Sequence, residues 1–246
     1  MRYGIISDIH SNLEALNAAL EHIGGVDAYI CPGDIVGYGA NPNECCDIIR
    51  NLAPAVVIGN HDAAVIGTLD LSWFNRNATM AAKWTNGVLS EANREFLLKL
   101  QPTVSERQHV VVHGSLDDPL SFDYIMSPSA ARPSFDAAQP GVRVIFIGHT
   151  HVAEYYSRRQ GSLEVDQFYL TGGGKVRLRH DFSYVVNCGS VGQPRDGNPA
   201  ASCGVYDADE QTIEVFRVPY DLHAAQAKIH EAGLPAPLAD RLTLGV

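Results

Sequence analysis

Positive charge is scarce in this 246-residue chain: 18 Lys and Arg stand against 28 Asp and Glu, for a formal net charge of −10. That balance argues against an extended nucleic-acid surface and against a docking face for anionic membranes. Cysteine is scarce too, with five residues and no CxxC or zinc-ribbon spacing, so reduced thiols in a cytoplasmic protein are expected. No apolar run approaches the ~20 residues a membrane helix requires. The opening MRYGIISDIH enters a strand-like run without a signal-peptide pattern. Linkers, low-complexity tracts and internal repeats are absent as well. With 46% hydrophobic and 19% charged residues, one domain spanning 1–246 is the expectation. The assembly state stays open, oligomers included.

What is present is an alternation of short apolar runs with helix-like segments, the pattern of βα units. RYGIIS precedes SNLEALNAALEHI, which Ser11 and Glu14 would open as a capping box. DAYIC precedes a helix start at Asn41, Pro42 and Glu44, and PAVVI runs into GNHD. Residues 63–100 read as a helical insertion with Ala81, Trp84 and Val88 on one face. VVVHG and VIFIGHTH are two more strands, separated by a Pro- and Ser-rich section. From Val152 onward, short alternating segments with turn residues between them predict antiparallel pairing. A helix is expected from Leu222, then a Pro-rich tail.

Five of the apolar runs stop in the same way. SDIH carries Asp8 and His10, PGDIVG carries Asp34, and GNHD carries Asn60, His61 and Asp62. VHG adds His113, and GHTH adds His149 and His151. Strand ends on one edge of an α/β sheet converge on a crevice, so residues distant in sequence can meet there. The Asp-x-His and His-x-His spacings would place both members of a pair on one side of an extended segment. A single histidine after a strand is usually a surface or capping residue, but five such strand ends together indicate one shared site. Three oxygen donors and four imidazoles exceed one tetrahedral zinc. They suit two divalent ions of the Mn, Fe, Zn, Ni or Co type sharing a carboxylate, and such ions supply the positive centre that a phosphorylated substrate needs.

The ordered series DIH, GDIVG, GNHD, VHG, GHTH resembles the calcineurin-like metallophosphoesterases, and CGSVGQPRDG is similar to a later loop of that family. The resemblance implies a four-layer αββα sandwich, an α/β (α+β) fold of two mixed β-sheets flanked by helices. It implies one metal on Asp8, His10, Asp34 and His151 and a second on Asp34, Asn60, His113 and His149. It makes His61 the general acid toward the leaving oxygen, with Asp62 orienting that imidazole and supporting its charged form. The implied reaction is in-line attack on phosphorus by a hydroxide bridging the metals.

Protein phosphatases of the superfamily usually carry Asp-Arg-Gly after the shared aspartate and GNHE further on. Here the sequence reads Gly37-Tyr38-Gly39 and GNHD. These departures favour the bacterial and archaeal branch of small phosphodiesterases, and GYGANPNEC resembles a subgroup related to dinucleoside polyphosphate hydrolases. The implied partner is a small phosphorylated substrate, nucleotides included. A non-catalytic scaffold on the same fold, a phosphomonoesterase and a nuclease stand as alternatives. Tyr38 reads either as a cover over the metals or a base, or as loop filling. Arg195 reads either as a phosphate contact or as a solvated hairpin arginine. GGGK at Gly172–Lys175 reads as a hairpin turn, Trp84 as core, and Cys188 as an inert thiol where the family loop has proline, which puts that loop's rigidity in question. His22, His109, His180, His223 and His230 are expected at the surface.

Overall fold

A computed structural model of the chain describes residues 1–52, 55–106 and 108–246. From the N-terminus run β1 (Arg2–Ile5), α1 (Leu13–His22), β2 (Ala28–Cys31), α2 (Pro42–Leu52), β3 (Ala55–Val56) and α3 (Asn60–Val65). Then come α4 (Arg76–Val88), α5 (Glu91–Leu98), β4 (Thr103–Glu106), β5 (His109–Val112), α6 (Pro128–Ala137) and β6 (Val144–Ile147). The remainder is β7 (Ala153–Arg159), β8 (Asp166–Tyr169), β9 (Gly174–Arg177), β10 (Phe182–Cys188), β11 (Ala201–Asp207), β12 (Thr212–Val218), α7 (Leu222–Glu231) and α8 (Ala236–Leu244). Pro54, which opens the PAVVI run, lies outside the described residues.

Two mixed six-stranded sheets result, in the orders β3-β2-β1-β11-β12-β9 and β4-β5-β6-β10-β7-β8. Strand periodicity explains how they stack, because successive side chains point to opposite faces. In β6, Val144 and Phe146 enter a core shared with Tyr3 and Ile5 of β1 and Tyr206 of β11. Ile145 and Ile147 of the same strand face Ala131 and Phe135 of α6 instead. On the other side, Cys203 and Val205 of β11 meet Ala15, Leu16 and Ala19 of α1. Sheet packs on sheet, with helices on both outer faces, as the resemblance implies. Among the described residues, no helix is long and apolar enough to cross a membrane.

Several local expectations change. α1 is capped by Asn12, whose side chain accepts from the Ala15 N–H at 3.1 Å, while Ser11 sits in a left-handed turn at φ 56°. The 63–100 segment breaks into α3, a 3₁₀ turn at Leu71–Trp73, α4 and α5. Its long helix buries Ala78, Ala81, Ala82 and Thr85 and leaves Val88 43% exposed, because the packing stripe follows the small residues. Trp84 is half-buried against the Tyr38 cluster. The Pro- and Ser-rich section contains α6, with Pro128 in its first turn, where proline's missing N–H has no intrahelical partner to lose. The Pro-rich tail becomes α8 for the same reason. GGGK joins β8 to β9, which belong to different sheets, so it turns between sheets and is not a hairpin. His109 is buried against Tyr3 and Phe146 instead of exposed.

Candidate metal centre

The carboxyl ends of the parallel strands β1, β2, β3, β5 and β6 all open onto one crevice, and each delivers part of the site. The pairs do not converge by strand alternation. Asp8 (φ 52°), His10 (φ 50°), Asp34 (φ 54°), His149 (φ 70°) and His151 (φ 61°) all adopt left-handed backbone. For residues with a Cβ this conformation is strained, and such strain persists only where the surroundings over-determine it. Gly33 has φ 95°, and a Cβ there would lie 2.7 Å from the Gly59 nitrogen, so only glycine lets the Asp34 loop pass the GNHD loop.

Asp8, His10, Asp34 and His151 form one buried group whose ligand-type atoms lie within 4.8 Å of one another, and Asp34, His113 and His149 form a second. Asp34 belongs to both. Its Oδ1 accepts the His61 backbone N–H at 2.8 Å, whereas its Oδ2 has no hydrogen-bond partner. That free oxygen lies 3.6 Å from His10 Nε2 and 3.3 Å from His113 Nε2. Asn60 joins the second group, with its Oδ1 3.0 Å from His113 Nε2.

Tautomers follow from the other ring nitrogens. His10 Nδ1 faces the Val36 carbonyl at 3.1 Å, and His151 Nδ1 faces the Gln193 carbonyl at 2.6 Å. Each Nδ1 therefore carries the proton, and the two Nε2 lone pairs confront each other at 3.1 Å. Two facing lone pairs beside a carboxylate oxygen without a hydrogen-bond partner form a donor set that fits divalent metals. Burial holds His10, His149 and His151 below the usual histidine range, in the neutral form that ligates. His113 goes the other way. Burial opposes its charge, but the Asp34 carboxylate against it raises it to about 9, so without metal a proton occupies that position.

The structure corrects the expectation for Asp62. Its Oδ1 accepts from the Val36 N–H at 3.0 Å and its Oδ2 from the Gly59 N–H at 3.1 Å, so it ties two loops together and does not orient His61. Burial, reinforced by the Asp34 charge, raises it to about 7. Among the described residues His61 Nδ1 has no hydrogen-bond partner, and burial lowers the ring to about 4.

The model of the calcineurin-like phosphoesterase superfamily domain matches residues 1–211. The chain belongs to this superfamily. An uncharacterised protein of Methanocaldococcus jannaschii is 40% identical over 247 residues, covering 98% of this chain and 97% of that one. A metallophosphoesterase from Sphaerobacter thermophilus, solved as a crystal structure, is 40% identical with a TM-score of 0.89, covering 100% of this chain and 99% of its own. A hypothetical protein from Pyrococcus horikoshii shares the fold, with a TM-score of 0.77 at 21% identity over 100% of this chain and 98% of its own.

The later superfamily loop is held firmly without its proline. Asn187 Nδ2 donates to the Gly148 carbonyl at 2.7 Å, Ser190 Oγ to the Asp8 carbonyl at 2.7 Å, and Ser202 Oγ to the Cys188 carbonyl at 2.6 Å. Cys188 is buried, and burial pushes its thiol up, which leaves it inert. Tyr38 packs its ring 4.3 Å from His61 and 4.7 Å from His10, and Arg195 donates to the Tyr38 hydroxyl at 3.4 Å.

Sequence reading missed the aromatic wall. Tyr124, 51% exposed, stacks on His149 with ring centroids 3.8 Å apart, and Phe74 meets His61 edge-on at 4.7 Å. With Leu69, Trp73, Phe122 and Asn60 they line a cleft of about 320 Å³ beside the metal-type residues. Trp73 is 82% exposed at its mouth. FDY, lying in a stretch without periodicity, gave no signal; an exposed Trp and Tyr on one rim are visible only in three dimensions.

Proposed function

We propose that the protein hydrolyses phosphodiester or phosphoanhydride bonds of small substrates at a two-cation centre, with dinucleoside polyphosphates as the substrate class. The observation that carries this reading is the confrontation of His10 Nε2 and His151 Nε2 beside the unpartnered Asp34 Oδ2, next to an aromatic cleft. Asp8, His10, Asp34 and His151 would hold one cation, and Asp34, Asn60, His113 and His149 the other. Bound there, the cations supply Lewis acidity toward phosphoryl oxygens and make water nucleophilic at neutral pH.

The rest is done by side chains. The cleft lined by Trp73, Phe74 and Tyr124 offers aromatic faces on which a base can stack. His61 lines the same cleft and delivers a proton to the leaving oxygen. Burial disfavours its charged form, so the proton it delivers is drawn from solvent, and the negative phosphoryl group beside the ring favours holding it there. Asp62 keeps the His61 and Asp34 loops in register.

Incubation with diadenosine tetraphosphate and manganese, followed by anion-exchange chromatography, is expected to yield nucleotide products. A substrate peak unchanged over hours removes this substrate class. Metal removal gives an independent result. Prolonged EDTA treatment is expected to lower Tm by roughly 5–10 °C, and manganese restores it, because ligands that bind only the folded state stabilise it by mass action. A melting curve indifferent to both treatments contradicts the two-cation centre.

A further inference from the structure

Where the protein phosphatases would place a phosphate-gripping arginine, this chain has Tyr38, yet two other guanidinium groups converge on that tyrosine. Arg195 Cζ lies 5.9 Å from the Tyr38 ring centroid and Arg241 Cζ 5.8 Å from it. They arrive by separate routes. Arg195 sits on the loop after β10, anchored by its N–H to the His151 carbonyl at 3.2 Å. Arg241 comes from α8, beyond the region that matches the superfamily model, and α8 is fixed there because Leu238 and Leu242 share a buried cluster with Tyr38 and Ala78. Neither guanidinium has an Asp or Glu within ion-pairing distance among the described residues, and Asp196, next to Arg195 in sequence, pairs with Arg217. Arg195 Nε is buried without a hydrogen-bond partner, and Arg241 Nε donates to the Val246 carbonyl oxygen. A cavity of about 220 Å³ opens on the Arg241 side of Tyr38, lined by Tyr38, Asn75, Asn77, Pro237, Leu238 and Arg241. It shares Tyr38 and Asn75 with the aromatic cleft, so the two cavities lie side by side.

Two like charges beside one tyrosine, in a chain of net charge −10, make a local positive centre that attracts an anion. Guanidinium groups bind phosphate oxygens with charge-assisted hydrogen bonds. We propose that Arg195, Tyr38 and Arg241 form an anion subsite for a phosphoryl group remote from the one being cleaved. The inference rests on the two-cation hydrolase reading for the scissile group and deepens it. The preferred substrate carries at least one further phosphoryl group, as a polyphosphate chain does, whereas a single-phosphoryl diester leaves the subsite empty.

The experiment is calorimetric binding of the hydrolysis-resistant bismethylene analogue of tripolyphosphate to the manganese-loaded protein, with orthophosphate as the short comparison. Arg241→Met is expected to weaken analogue binding about tenfold while changing orthophosphate affinity by less than twofold. Arg241→Lys, which keeps the charge, is expected to recover part of the loss. Thermal melting of both variants establishes that α8 remains docked. Equal analogue affinity in all three proteins overturns the subsite, and so does a parallel loss for orthophosphate. Binding is read without turnover, so a protein that hydrolyses none of the proposed substrates can still show the subsite, and the two readings fail separately.

Discussion

Asp34→Asn is expected to lower hydrolysis of bis-p-nitrophenyl phosphate by at least about a thousandfold, the scale on which single electrostatic groups act in such sites. Asparagine preserves the shape, and its Oδ1 can still accept the His61 backbone N–H that Asp34 accepts at 2.8 Å. What disappears is the negative charge of Oδ2, which has no hydrogen-bond partner among the described residues and lies between His10 of one group and His113 of the other. On the proposed two-cation reading the cations would then lose their common anion, so metal content measured by mass spectrometry on purified protein is expected to fall below that of wild type. A variant that retains full metal content and a rate within tenfold of wild type would refute the shared-carboxylate role.

His61→Ala is expected to leave metal content unchanged, because the residue contributes only its backbone N–H to Asp34. The predicted loss in kcat is about 10²–10⁴-fold for diphenyl phosphate, whose leaving oxygen needs a proton, and smaller for bis-p-nitrophenyl phosphate, whose leaving group departs readily. The ring fills space between Tyr38 (4.3 Å), His10 (4.8 Å) and Phe74 (4.7 Å), so a packing defect alone would slow both substrates alike. Leaving-group dependence is therefore the informative measurement. Equal losses on both substrates would withdraw the proton-donor role, and absence of hydrolysis in wild type would favour a scaffold.

Much of the site could be read in the sequence because its parts are punctuated. Each of the five apolar runs ends in Asp, Asn or His, four of them with a neighbouring Gly, and strand ends in such a fold must meet at one edge. The seven candidate ligand residues could thus be grouped without coordinates. The means of convergence could not: five of them turn inward through left-handed backbone, a local conformation that residue type does not announce outside glycine. Asp62 illustrates the same limit. Its neighbour His61 suggested a partner, but its oxygens were claimed by N–H groups of Val36 and Gly59.

The sequence alone determined the chemistry of the donors, the alternation that makes strands, and a tyrosine between two glycines at position 38, because these are properties of residue type and short-range order. Tertiary structure alone decided which lone pairs face each other, which aromatic rings wall the cleft, and that Arg241 returns beside Tyr38 from 203 positions further along the chain (241 − 38). The physical reason is one of range. Periodicity and turn propensity act over a few residues, whereas these contacts are set by how α8 and the loops pack on two sheets.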